Sequence, residues 1–356
     1  MIRYPGHAGP GKEAAGTRRG FGSRGRLIRA VVGAGILVMA LPAASARADG
    51  SGFTVWLDGL RRDAERRGIS AATLDAALTG LAPIPRVLEL DRRQPETTLP
   101  FSRYLARVVT PGRIREGRAR LAEHRALLDE IGTRYGVQPR FIMALWGIET
   151  DYGRDSGNFP VIAALATLAH DGRRGALFRD ELLEALRMVD EGHATLAHLR
   201  GSWAGAMGQS QFMPSSFRRY AVDHDGDGRR DIWTSLPDVF ASIANYLAHA
   251  GWRAGDTWGR RVRLPPRFDP TLADFAVERP VASWEALGVR RADGSDLAEA
   301  GAPSGSIVRL DGPTGPAFLV YENYRVLIRW NRSLLFATAV GHLADGVDGT
   351  GAATLR

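Results

Sequence analysis

The sequence predicts a mainly α (α+β) protein, in which a helical core carries a small β-containing subdomain. Three observations predict it. Apolar residues recur at helical spacing from Phe53 to about Tyr246. After Trp252, proline, glycine and short β-type runs take over. A last helical run, "SLLFATAVGHLADGV", then closes the pattern.

Residues 1–48 read as an export leader. A basic stretch ending in "RGRLIRA" precedes the apolar segment Ala30–Pro42, and Ala46-Arg47-Ala48 has the small-x-small pattern of a cleavage site. The segment is shorter than the ~20 residues of a membrane span, although an uncleaved anchor is the competing reading. The net charge of +8 sits almost entirely here, because the remaining chain holds 39 basic and 38 acidic residues. A near-neutral folded part argues against nucleic acid as a partner. There is no cysteine, which excludes disulfides and a lipid anchor on an N-terminal cysteine. The expectation is a periplasmic protein with no membrane span in its mature chain.

From 49 to 135 the chain reads as an N-terminal helical region. "DGLRRDAERRGIS" and "AATLDAALTGL" are amphipathic and stop at Gly68 and Gly80. "TPGRIREGRARLAEHRALLDEIGTRYG" predicts one long helix that starts at Pro111 and ends near Gly136. Residues 136–257 form a predicted helical core: a helix opened by Pro139, then helices in "NFPVIAALATLAH", "GALFRDELLEALRMVDEG" and "PDVFASIANYLAHAGW". Residues 258–320 hold the β-type runs "RVRLP", "FAVER", "SIVRLDG" and "AFLVYEN", and 321–356 form a C-terminal segment.

Three stretches have residue types suited to chemistry. On the Pro139 helix, Phe141, Ile142, Leu145, Trp146 and Glu149 share one side, which puts a carboxyl on an apolar face near the helix C-terminus. Burial and the negative end of the helix both favour the neutral acid, the form that donates a proton to a glycosidic oxygen. The competing reading is a last-turn Glu paired with Arg154. In "GSWAGAMGQSQFMPSSFRRY" three glycines allow close backbone approach, while Ser202, Gln209, Ser210 and Gln211 offer uncharged hydrogen-bonding groups. Trp203, Phe212 and Met213 offer apolar faces; a packed glycine turn is the alternative. In "DHDGDGRRDIW", Asp223, Asp225 and Asp227 occupy positions 1, 3 and 5 of an EF-hand-type loop and Arg229 position 7. Position 12 is Thr234 rather than Glu, so only a lengthened loop ending at Asp238 would close it; a solvated acidic turn is the alternative. Neither H-E-x-x-H nor G-x-S-x-G occurs, which removes the metalloprotease and α/β-hydrolase readings.

Together with "ALWGIETDYGR", "ALATLAHDGRRGALFRDEL" and "NYRVLIRWNRS", these stretches resemble the B-type lytic murein transglycosylases, from about Leu57 onward. The resemblance implies a lysozyme-like core and cleavage of peptidoglycan to 1,6-anhydro ends, with Glu149 as the single acid and base. It implies Ser202, Gln211, Asn323 and Trp330 as glycan-groove residues, with Arg173 and Arg174 towards the peptide-stem carboxylates. Where the family reads Arg-Tyr-Asn, this chain has Arg329-Trp330-Asn331. It also implies structural Ca2+ on Asp223, Asp225, Asp227, Arg229 and Asp238, and no cofactor for catalysis. Glycan strands and cell-wall enzyme complexes are the implied partners. A hydrolytic muramidase and a calcium-stabilised wall-binding protein without activity are the alternatives.

Overall fold

The computed structural model describes residues 50–93, 99–297 and 304–349. The expected leader lies outside them.

Helices α1 (Gly50–Arg66), α2 (Ala71–Leu78) and α3 (Pro85–Arg92) lead into α4 (Phe101–Val108), α5 (Pro111–Glu123), α6 (Arg125–Tyr135) and α7 (Pro139–Thr150). The short strands β1 (Phe159–Pro160) and β2 (Arg200–Gly201) pair antiparallel around α8 (Val161–Asp171) and α9 (Gly175–Asp190). Then come α10 (Pro214–Tyr220) and α11 (Leu236–His249). The β-type runs become β3 (Gly259–Arg263), β4 (Glu278–Pro280), α12 (Val281–Ala286), β5 (Arg290–Arg291), β6 (Ser304–Arg309) and β7 (Ala317–Val320). The chain returns through α13 (Glu322–Trp330) and α14 (Leu334–Asp348). No helix among the described residues is long and apolar enough to cross a membrane.

The long helix expected over 110–136 is two. It breaks at His124, whose φ of −105° and ψ of 19° leave the helical region. The break has a packing cause: α5 lies on α7 and α14, whereas α6 lies on α11, and one straight rod does not serve both. The His124 ring fills the corner against Trp146 and Phe240.

The sheet has the order β4-β6-β7-β3-β5, all pairs antiparallel. Alternation along it sends side chains to two cores. Ile307, Leu319 and Val262 join Trp284 of α12 in a small core, while Val308, Phe318 and Val320 face the helices. Two larger cores fill the helical part. One gathers α4 to α7, α11, α13 and α14; the other gathers α1 to α3 with α8, α9 and α10. Residues 136–257 contribute to both. Tyr246 and Trp330 are half-buried and pack against each of the two cores, so they mark the seam.

Candidate active site

Glu149 stands at that seam. Pro139 opens α7 at its first turn, and Asp151 ends it in a left-handed conformation at φ 52°. Tyr152 follows at φ 60°, which turns its ring back under the helix. Gly147 makes room: a Cβ there would lie 2.6 Å from Tyr152 Cζ. The spacing in "GIETDYG" thus builds an abrupt helix end with Glu149 in its last turn.

Glu149 is 8% exposed. Its Oε1 accepts a 2.7 Å hydrogen bond from Trp330 Nε1, at the end of α13. The Trp330 ring stands edge-on to Tyr246, with centroids 4.7 Å apart, and tilts against Phe212 at 5.4 Å. Tyr246 in turn donates from its hydroxyl to Arg329 O at 2.8 Å, fixing the end of α13. The pairing of Glu149 with Arg154 is not formed. Arg154 Nε donates to Asp151 at 2.9 Å and Arg113 Nε at 3.1 Å, and these two guanidinium groups, Arg154 first, hold the Asp151 carboxyl below the usual range.

The glycine-rich stretch is laid against the end of α7. Thr150 Oγ1 donates to Gln209 O at 3.1 Å, and Trp146 Nε1 donates to Gln209 Oε1 at 2.8 Å. Ser202 Oγ accepts from Ala204 N and Ala206 N, closing a tight turn. A Cβ at Gly201 would lie 2.0 Å from Ala206 O, so only glycine fits. Gln211 is buried at φ 49°, and its Nε2 donates to Ser156 O and Gly208 O, each at 3.0 Å. Three of the four non-glycine residues with positive φ among the described residues, Asp151, Tyr152 and Gln211, thus lie in the turn after Glu149 or in this loop. Such conformations cost roughly 1–3 kcal/mol each and persist where surrounding contacts enforce them.

A buried carboxyl, one indole donor, an aromatic wall and a loop of uncharged polar groups make a site for proton transfer on a neutral, ring-shaped substrate. The transglycosylase SLT domain model matches residues 52–345, more than four-fifths of the chain. The chain belongs to that family. Membrane-bound lytic murein transglycosylase B of Escherichia coli K12 is 30% identical over 305 residues, 79% of each chain. SltB3 from Pseudomonas aeruginosa, solved with NAG-NAM-pentapeptide, is 45% identical with a TM-score of 0.81, over 84% of this chain and 80% of its own. An Escherichia coli lytic transglycosylase solved with calcium is 29% identical with a TM-score of 0.71, over 85% and 95%. The resemblance seen in the sequence holds: this is a B-type lytic transglycosylase, an enzyme of peptidoglycan, with a lysozyme-like helical fold.

Two of the transglycosylase's expected site residues, Asn323 for the groove and Arg174 for the peptide stem, make structural contacts of their own. Asn323 is fully buried; its Oδ1 accepts from Arg253 N, and its Nδ2 donates to Arg253 O and Asp256 O. It fastens the loop after α11. Arg174, mostly buried, pairs with the buried Asp91 of α3 and clamps that helix to the α8–α9 junction. Arg173 also reaches Asp91, at 3.3 Å, but keeps 55% of its side chain exposed.

In the 223–238 loop the carboxylates of Asp223, Asp225 and Asp227 each offer an oxygen within 4.8 Å of the others. That spacing suits one hard cation touching all three, since Ca2+ prefers oxygen at about 2.3–2.6 Å. Asp238 does not join them. It is buried at the start of α11, and its two oxygens accept from His224 N and Asp231 N, each at 2.7 Å. It clasps both ends of the loop, a role that residue spacing alone does not separate from ligation. Arg229 N donates to Asp227 Oδ1 at 2.8 Å. Nothing local in the sequence marks Tyr246, whereas Thr150 stands next to Glu149.

Proposed function

We propose that this transglycosylase cleaves the β-1,4 bond between N-acetylmuramic acid and N-acetylglucosamine without water, leaving 1,6-anhydro ends. Glu149 gives its proton to the bridging oxygen as the C1–O bond breaks, and the substrate's acetamido group assists the cationic C1. The Glu149 carboxylate then takes the proton of the C6 hydroxyl while O6 bonds to C1. The acid is regenerated, and atoms balance with no water consumed. The observation that carries this reading is the setting of Glu149: buried, held by Trp330, and without Asp151, which is turned to two arginines. Two-carboxylate glycosidases instead use a second acid as base or nucleophile. One SltB3 structure holds NAG-anhNAM-pentapeptide, an anhydro ligand of the same kind.

In this reading Ser202, Gln211 and Trp330 line the glycan groove, and Arg173 is the arginine free enough of burial to meet a stem carboxylate. Structural Ca2+ sits on Asp223, Asp225 and Asp227, with the Arg229 carbonyl, and the leader exports the chain to the periplasm. Digestion of sacculi in heavy-oxygen water tests the chemistry. Unlabelled anhydro ends, lost by about 10²–10⁴-fold in Glu149→Gln, are expected. Labelled reducing ends as the main primary product would make the enzyme a muramidase.

A further inference from the structure

A cavity of about 890 Å³ opens between α4, β3, the β6–β7 turn and α14. Its volume is in the range of ligand pockets. It shares no lining residue with the Glu149 site: neither Trp330, Tyr246 nor the 201–212 loop contributes. Phe101, Leu105, Val109 and Phe318 give it an apolar floor, while Arg261, Arg263 and Arg309 stand around it, and no Asp or Glu lines it. The acid of the β6–β7 turn, Asp311, is directed to the N-terminus of α4, where it accepts from Phe101 N at 2.5 Å and Ser102 N at 3.4 Å.

Two polar groups in the lining have no protein partner. His342 on α14 is 3% exposed, and its Nε2 makes no hydrogen bond. The Nε of Arg309, also buried, makes none. Leaving such groups unsatisfied costs about 1–3 kcal/mol each, more for a charged one, and folded chains seldom retain them without use. Burial and the nearby Arg261 push the imidazole down to about 4, so it is neutral at ordinary pH and can share a proton with a ligand.

We propose that this cavity binds a carboxylate-bearing short peptide, the stem of a peptidoglycan strand, at a point separate from the cleft. Guanidinium forks match carboxylates bidentately, and the apolar floor suits the small methyl side chains of a stem peptide. The choice of a stem over other carboxylates rests on the transglycosylase reading, because the polymer cut at Glu149 carries such peptides along its length. A second hold on one strand raises the effective concentration of its glycan at the cleft.

The test titrates free stem pentapeptide into the full chain by calorimetry, with chitotetraose present to fill the cleft. Binding should persist with the sugar present and weaken about 10–100-fold in Arg263→Gln/Arg309→Gln. That variant should cut soluble stem-free glycan at the wild-type rate while binding sacculi less. An unchanged Kd in the double variant, or loss of peptide binding when chitotetraose is added, would overturn the proposal. Decanoate or inorganic phosphate binding more tightly than the peptide, with the same arginine dependence, would overturn the stem as its occupant. The peptide carries no glycosidic bond, so the titration stands apart from the product analysis that decides between transglycosylase and muramidase.

Discussion

Trp330 touches Glu149 through an N–H that phenylalanine lacks, so Trp330→Phe separates two roles that the position combines. The phenyl ring keeps the packing against Tyr246 and Phe212, and the donor to Oε1 disappears. The bond strengthens as Glu149 gives up its proton and becomes a carboxylate. A hydrogen bond to a charged group is worth about 1.5–3 kcal/mol, so kcat should fall at least tenfold with little change in KM. Were the ring only a sugar platform, KM would rise and kcat would hold. Trp330→Tyr restores a donor and should recover part of the loss. Steady-state rates on soluble glycan read all three proteins.

At the scale of elements, the acidic loop and α11 form one unit. Asp238 caps the loop from the helix, and Ser235 Oγ donates to Asp225 Oδ2 at 2.7 Å. Three exposed carboxylates crowd together there, and a cation that binds only the folded loop raises stability by mass action. Metal-stripped protein should therefore gain melting temperature with Ca2+, and Asp225→Ala should erase the gain. Identical melting with calcium and with chelator would leave a plain acidic turn. Much of this was legible in the sequence: the D-x-D-x-D-G spacing, the Pro139 helix with Glu149 on its apolar side, and the switch to strands after Trp252. Those signals are local. The break at His124, the turning of Asn323 and Asp238 towards backbone, and the partner of Glu149, 181 residues away, depend on what packs across the chain. Periodicity does not carry that information.

For the whole molecule, the packing of the sheet on α14 buries a histidine that contributes to how stability depends on pH. His342 lies where α4, the sheet and α14 meet, its ring 5.4 Å from Trp258 and 5.6 Å from Phe318. Burial, and secondarily Arg261, lower it from 6.5 to about 4. The unfolded chain therefore takes up this proton before the folded one does. The stabilisation is complete above pH 6.5, declines as the pH falls, and is gone near pH 4. The interval corresponds to about 3 kcal/mol. Asp63 and Asp151, held low by arginines, lose stability in the same direction but at lower pH. His342→Gln keeps those carboxylates and removes the imidazole. It lowers the plateau by whatever packing is lost, so the comparison is of slopes rather than of absolute values. Denaturant midpoints between pH 7 and 4 should fall steeply in wild type and more gently in the variant. Parallel curves would mean that folded His342 takes up its proton at the same pH as the unfolded chain, with water or an acid reaching it from the adjoining cavity to hold the charge.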